Sequence, residues 1–140
     1  MVFPLPDRLN FVQGAALPMN YLTVDFALQK RTQLEAGETL LVQGAAGGIG
    51  VATTQVAKAL GARVIAVVSS ADKEATARAA GADEVVVGLD FKQRVKELTG
   101  GKGVDCALDP VGGERFTIAF AAWRGIVGSW SSASLPVSPR

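Results

Sequence analysis

The sequence contains no histidine and a single cysteine, Cys106, among its 140 residues. Without histidine the chain cannot assemble a Ser-His-Asp or Cys-His catalytic system, and one cysteine cannot complete a zinc site, so no metal is expected. A disulfide framework is excluded as well, which favours a reducing compartment, and we expect a cytoplasmic location. The chemistry must therefore depend on backbone groups, carboxylates, hydroxyls, lysine, arginine or a bound cofactor.

The chain also lacks an excess of charge of either sign. It has 14 lysine and arginine residues against 13 aspartate and glutamate residues, for a formal net charge of +1. This balance is unsuited to holding a nucleic-acid backbone or an anionic membrane surface. No apolar run approaches the roughly 18 to 20 residues of a membrane span, and residues 1–7 do not resemble a signal peptide. We therefore expect neither nucleic acid nor a membrane as a partner.

The sequence does contain an alternation of strand-like and helix-like segments, in which apolar runs are followed by amphipathic segments that end at glycines. This alternation predicts an α/β fold with a doubly wound parallel sheet of about five strands (a Rossmann fold), preceded by one or two helices. The predicted strands are 39–43, 63–68, 84–87, 104–108 and a weaker 125–130. The predicted helices are 20–34, one from Ile49 to Gly61, 72–80, one capped by Asp90, and one with Phe116, Phe120 and Trp123 on its inner face. We expect a single domain, with a leading helical segment at about 1–36, a core at 37–130 and a tail at 131–140.

A glycine-rich loop lies between the first predicted strand and the helix that follows it. Residues 44–50 read Gly-Ala-Ala-Gly-Gly-Ile-Gly. In this position glycines permit a tight turn and a close approach of the backbone to a pyrophosphate, which the helix N-terminus also attracts. The alternative is a plain turn that binds nothing. The predicted cofactor-binding residues of this loop are Ala46, Gly47, Gly48, Ile49 and Gly50.

The end of the second predicted strand indicates which dinucleotide is bound. An NAD site normally has an acidic residue there for the adenosine ribose, whereas this chain has Ser69 and Ser70, followed by Lys73. These three residues could hold a 2′-phosphate, which favours NADP(H), although Asp72 could instead be a displaced ribose ligand. The alternative is that Ser70 is only a helix N-cap and that Lys73 is only solvated.

The sequence resembles the cofactor-binding domain of the zinc-independent medium-chain dehydrogenase/reductases, in particular the quinone oxidoreductase branch that includes zeta-crystallin. The stretches that carry the resemblance are 14–18 (Gly-Ala-Ala-Leu-Pro), 22–23 (Leu-Thr), 44–50, 57–62 (Ala-Lys-Ala-Leu-Gly-Ala), 81–83 (Gly-Ala-Asp), 98–105 (Leu-Thr-Gly-Gly-Lys-Gly-Val-Asp) and 109–113 (Asp-Pro-Val-Gly-Gly). The resemblance implies that Thr23 lies near a nicotinamide and that Val111 borders the cofactor groove. It also implies NADPH-dependent reduction of quinones, enals or enoyl thioesters.

The chain departs from the family pattern in three places. Gly88 stands where many members have a tyrosine, and Trp130 is the aromatic residue available in the loop that family members place beside the nicotinamide. The family's N-terminal GroES-like catalytic domain has no counterpart in the sequence. We therefore expect half of an active site, with no catalytic side chain assignable. The alternative is a nucleotide-binding or interaction module without turnover, or a truncated product that binds nothing.

Three further residues or segments carry expectations. Asp109 follows the fourth predicted strand and points toward the ligand crevice, where it serves either as a catalytic acid or as part of a structural turn with Pro110. Cys106 lies in a buried strand pattern and is expected to be a core residue. The resemblance also implies a homodimer whose sheets pair edge to edge, with residues 126–130 as the candidate edge.

Overall fold

The structure is a computed structural model that describes residues 4–88 and 90–122. Within these residues four strands are present, all parallel and in the order β3-β2-β1-β4. The strands are β1 (Thr39–Gln43), β2 (Arg63–Val68), β3 (Glu84–Val87) and β4 (Cys106–Leu108). The α/β fold with a parallel sheet is thereby confirmed. The fifth predicted strand, 125–130, lies outside the described residues.

The fourth strand is shorter than predicted. Strand pairing of β4 with β1 covers Cys106 to Leu108, whereas the prediction began at residue 104. The N–H of Val104 donates to the carbonyl of Ala122, at 3.1 Å, on the side away from β1, while the N–H of Asp105 donates to Thr39 of β1 at 2.9 Å. Val104 is fully buried and forms an isolated β-bridge, so the prediction was correct for its burial and too long by two residues for the regular strand.

The helices after β1 follow the predicted order. They are α2 (Gly48–Ala59), α3 (Glu74–Ala79), α4 (Phe91–Leu98) and α5 (Glu114–Ala121), with a 3₁₀ turn at Ala71–Lys73 in front of α3. Asp90 occupies the N-cap position of α4, but no capping bond from its side chain is present within the described part of the chain. The predicted inner-face residues Phe120 and Trp123 lie outside the described side chains, while Phe116 is half-buried.

The leading helix begins much earlier than the predicted residue 20. Helix α1 spans Phe11–Asp25 and continues as a π-helical segment, Phe26–Arg31. Its start is set by a capping box, in which Asn10 Oδ1 accepts from the Gln13 N–H and Gln13 Oε1 accepts from the Asn10 N–H. The helix runs through Pro18, a residue that normally disfavours a helix interior.

Two apolar clusters, one on each face of the sheet, form the core. Alternate strand residues point to opposite faces, so Leu40 and Val42 pack on one side of β1 and Leu41 on the other. The first cluster includes Val24 and Leu28 of the leading helical segment and Ala52 of α2; the second includes Phe91 and Val95 of α4 and Ala119 of α5. Helices thus cover both faces of the sheet, which makes the fold doubly wound.

One face of α1 is apolar and uncovered by the described residues. Its members are Phe11 (89% exposed), Val12, Met19 (76% exposed) and Leu22, and Phe26 continues the stripe at the start of the π-helical segment, where the Arg31 guanidinium lies 5.3 Å from the ring centre. Their spacing places them on a single stripe along the helix. No described helix combines the length and hydropathy required to cross a bilayer.

Candidate functional site

The described strands form a topological switch point between β1 and β4. From β1 the chain moves outward through β2 to β3, and then crosses to the opposite side of β1 to form β4. Open α/β sheets bind ligands in the crevice at the carboxyl ends of their strands at such a point. Three loops meet along this edge: the glycine loop at 44–50 after β1, residues 69–73 after β2 and residues 109–113 after β4.

The glycine loop is tightly wound and leaves no space for a side chain at Gly50. A Cβ at Gly50 would lie 2.3 Å from the carbonyl oxygen of Gly44 and 2.5 Å from Cα of Ala45. Gly44 has a φ of +59°, a left-handed conformation that suits glycine, and its carbonyl accepts from the Gly47 N–H at 2.9 Å. The buried Gly50 therefore permits the close contact between α2 and the turn.

Gly47 and Gly48 form the exposed part of the same loop and open helix α2. Gly47 is the N-cap residue, with φ −82° and ψ 169°, and no side chain among the described residues caps the helix. The N–H groups of the first turn, which include those of Gly48 and Ile49, have no carbonyl partner within a helix. Together with the helix dipole they form a site suited to an anion, and Ala46 completes the turn beside them.

The residues predicted at the end of β2 are brought together. Lys73 Nζ donates to Ser69 Oγ at 2.8 Å, so the ammonium group is held beside the end of the strand. The hydroxyl of Ser70 donates to the carboxylate of Asp72 and holds the pKa of that carboxyl below its usual value. Ser70 occupies the N-cap position of the 3₁₀ turn, and its side chain forms no capping bond there within the described residues.

Val111 lies directly against the glycine loop. Its Cγ2 is 3.0 Å from the position that a Cβ would take at Gly44, and 51% of the residue is exposed. The loop that contains Val111, residues 109–113, is held in place by Asp109. Its Oδ1 accepts from the N–H groups of Val111 at 2.8 Å and Gly112 at 3.0 Å. Two roles were considered for Asp109, a catalytic acid and part of a structural turn, and these bonds show the structural turn.

The part of α1 that faces α2 brings a residue to the site that the sequence did not indicate. A Cβ at Gly48 would lie 2.9 Å from Asn20 Nδ2, so the amide of Asn20 packs against the glycine loop. Thr23 is half-buried one turn further along, and its Oγ1 donates to the Met19 carbonyl at 2.6 Å. Tyr21 donates to Gln55 of α2 and packs against the core. Only the spacing of Asn20 from Thr23, which places both near one helix face, could have suggested from the sequence that Asn20 belongs to the site.

The last predicted site residue, Trp130, lies outside the described residues.

Cys106 is a core residue, as predicted. It is 7% exposed within β4, and burial raises the pKa of its thiol to about 11, against a smaller opposing contribution from a hydrogen bond with Thr32. The thiol is therefore protonated at neutral pH, which makes it a poor nucleophile.

The parallel α/β fold and the glycine loop together define a nucleotide-binding domain of the Rossmann type. The family profile described as "Zinc-binding dehydrogenase" matches residues 48–125, more than half of the chain, and the protein belongs to that family. The residues do not fit zinc itself, because the chain has no histidine and one cysteine, and no three potential metal ligands cluster within residues 4–88 and 90–122.

Curated relatives and solved structures agree with this family. A quinone oxidoreductase of Pseudomonas aeruginosa is 39% identical over 141 residues, an alignment that covers 96% of this chain and 42% of that protein. The mycobacterial protein Rv1454c, solved in complex with NADPH, is 37% identical with a TM-score of 0.84, over 97% of this chain and 43% of that one. The CurK enoyl reductase is 31% identical with a TM-score of 0.81, over 86% of this chain and 37% of that one. The chain thus spans about 42% of the length of the curated quinone oxidoreductases that it matches.

Proposed function

We propose that this chain is the NADPH-binding domain of a zinc-independent quinone oxidoreductase or enoyl-reductase-like enzyme. In the full-length context the enzyme transfers hydride from NADPH to a quinone or to an α,β-unsaturated carbonyl. The observation that carries the proposal is the glycine loop, in which a buried Gly50 closes the turn while Gly47 and Gly48 stay exposed at an uncapped helix N-terminus. The named relatives, quinone oxidoreductases and an enoyl reductase, support the choice of substrate class.

The diphosphate of the cofactor is assigned to the glycine loop. The N–H groups of Gly48, Ile49 and Gly50 open α2, and Gly47 exposes backbone in place of a side chain. These donors and the helix dipole stabilise negative charge without any basic side chain, and Ala46 is small enough to leave the approach open. This assignment uses the loop residues as the sequence predicted them.

The 2′-phosphate is assigned to Ser69, Ser70 and Lys73. Lys73 is exposed and held by Ser69, so its ammonium group is positioned before a ligand arrives. Asp72 is exposed and carries the opposite charge, but Ser70 donates to its carboxylate. Binding of a 2′-phosphate at this position requires the Ser70 hydroxyl to turn from Asp72 to the phosphate.

The nicotinamide end is assigned to Thr23 and Val111, with Trp130 added from the resemblance. Val111 offers half of its surface beside Gly44, and an apolar side chain there suits a flat ring. When bound, the cofactor supplies the hydride, and the protein contributes binding and orientation. The proposed unit is a single domain in a cytoplasmic enzyme.

Cofactor preference provides the direct test of this proposal. We expect NADPH to bind roughly tenfold to a hundredfold more tightly than NADH, because a charge-assisted hydrogen bond contributes about 1.5 to 3 kcal/mol. Lys73→Ala should remove most of that difference, as measured by isothermal titration calorimetry with both cofactors. Lys92→Ala, which removes an exposed lysine of α4 on the opposite side of the sheet, is the matched control. Equal affinities of the unmutated protein for NADPH and NADH would contradict the assignment.

A turnover assay separates the enzyme from the alternative of a binding module. Saturable NADPH binding with oxidation of NADPH by a simple quinone supports an active chain. Binding without turnover supports a domain that needs the remainder of the longer relatives, of which it covers about 42%. Absence of binding would refute the proposed function.

The proposed assembly is a homodimer whose sheets pair edge to edge through residues 126–130, a segment outside the described residues. The uncovered apolar stripe of α1 adds a tendency toward association. We expect sedimentation equilibrium at micromolar concentration to yield twice the chain mass of 14.5 kDa. Ile126→Pro should dissociate the dimer because proline removes a ladder donor. A single species of 14.5 kDa for the unmutated chain would refute the dimer.

A further inference from the structure

Asp109 is a buried carboxylate of which only one oxygen is engaged by the described residues. The residue is 6% exposed, and Oδ1 accepts from two backbone N–H groups of its own turn. Oδ2 is also buried, yet no donor within residues 4–88 and 90–122 reaches it. A buried carboxylate oxygen has lost its hydration, and leaving it without a donor is unfavourable. The turn accounts for Oδ1 and leaves Oδ2 unexplained.

The position of Asp109 in the sheet indicates which part of a dinucleotide it would meet. Asp109 directly follows β4, on one side of β1, while Ser69, Ser70 and Lys73 follow β2 on the other side. With the diphosphate at the central loop and the adenosine toward β2, the second nucleoside must extend toward β4. This step rests on the proposed function, because it takes the adenosine assignment as given.

The functional groups of the nicotinamide nucleoside indicate which of them Asp109 Oδ2 would contact. A carboxylate repels the diphosphate and gains little from the carbon face of a ring, whereas the ribose hydroxyls and the nicotinamide carboxamide are hydrogen-bond donors. Of these two, the ribose is directly attached to the diphosphate at the central loop. We propose that Asp109 is a cofactor-binding residue: Oδ1 holds the turn that places Val111 against Gly44, and Oδ2 accepts from a hydroxyl of the nicotinamide ribose after a small shift of that turn opens the buried oxygen to the crevice. One side chain thus shapes the crevice and positions the reactive half of the cofactor.

Two ligands separate this role from a merely structural one. NADPH contains both halves of the dinucleotide, whereas adenosine 2′,5′-bisphosphate contains only the adenosine half. Asp109→Asn keeps an acceptor oxygen for the two backbone N–H groups and replaces a charge-assisted bond by a neutral one. We expect its NADPH affinity to fall about tenfold in calorimetry, with the affinity for the bisphosphate unchanged.

A second variant and a control make the comparison sharper. Asp109→Ser retains a short acceptor for the turn and removes the second oxygen, so its loss of NADPH affinity should exceed that of the asparagine variant. Asp83→Asn is the control. Asp83 also accepts a backbone N–H, from Val64 at 2.7 Å, and forms an ion pair with Lys58 at 2.8 Å, but it lies at the amino end of β3, away from the crevice. Both ligands should bind this control as they bind the unmutated chain.

Each outcome decides for or against the inference. Selective loss of NADPH affinity in the Asp109 variants supports it. Equal loss for both ligands shows that Asp109 acts only by holding the loop, and no loss for either ligand shows that Oδ2 meets no ligand; both results overturn the inference while the proposed function stands. If the unmutated chain binds neither ligand, the proposed function fails and this inference fails with it.

Discussion

Gly50→Val is expected to destabilise the folded domain by about 3 kcal/mol or more. The added Cβ would lie 2.3 Å from the Gly44 carbonyl oxygen, and 2.5 Å and 2.8 Å from Cα and the carbonyl carbon of Ala45. All three neighbours are backbone atoms of a buried turn, so no flexible side chain can move to relieve the overlap. Native proteins typically have a free energy of unfolding of about 5 to 15 kcal/mol, so a loss of about 3 kcal/mol is a large fraction of the total. Urea denaturation followed by far-ultraviolet circular dichroism measures it.

Gly47→Ala is the control for this effect within the same loop. A Cβ at Gly47 would be 3.3 Å from the Gly44 oxygen, a contact that a shift of a few tenths of an ångström relieves, and its φ of −82° is open to any residue. We therefore expect a change in unfolding free energy below about 1 kcal/mol. A Gly50→Val variant as stable as Gly47→Ala would contradict the packing of α2 against the turn.

Gly47→Val is expected to have the opposite profile, with a large effect on binding and a small one on stability. Its extended backbone, with ψ 169°, accommodates a β-branched residue, so the melting temperature should change only modestly. The branched side chain would stand where the cofactor diphosphate must approach the backbone. We expect the affinity for NADPH to fall by roughly a hundredfold or more, as measured by calorimetry.

The graded pair of substitutions at Gly47 tests the cause of that loss. Alanine adds one methyl group and valine adds three carbons at the same exposed position, so the affinity should fall in that order. Full-strength NADPH binding by Gly47→Val would show that the glycine loop is only a structural turn. Because Gly50→Val acts on stability and Gly47→Val on binding, the two measurements separate the roles of two glycines that lie three positions apart.

Local patterns predicted the centre of the fold well. The bounds of β1, β2 and β3 agree with the apolar runs. Strands β1 and β2 are buried on both faces and are therefore largely apolar, a requirement that is written in adjacent residues. The start of α1 was also encoded locally, in the Asn10–Gln13 capping box, and that signal was missed. Family, glycine loop and the parallel α/β architecture were likewise accessible from the chain itself.

The sequence by itself determined the alternation of elements and the glycine loop, because each of these depends on residue type and local spacing. Only the tertiary structure decided that Val104 pairs with Ala122, that Asn20 packs on Gly48, and that Asp109 has one engaged and one unengaged buried oxygen. These features join residues that are distant in sequence or depend on how fully the fold covers an atom. Such burial and pairing arise when the helices close over the sheet, and no local pattern records them.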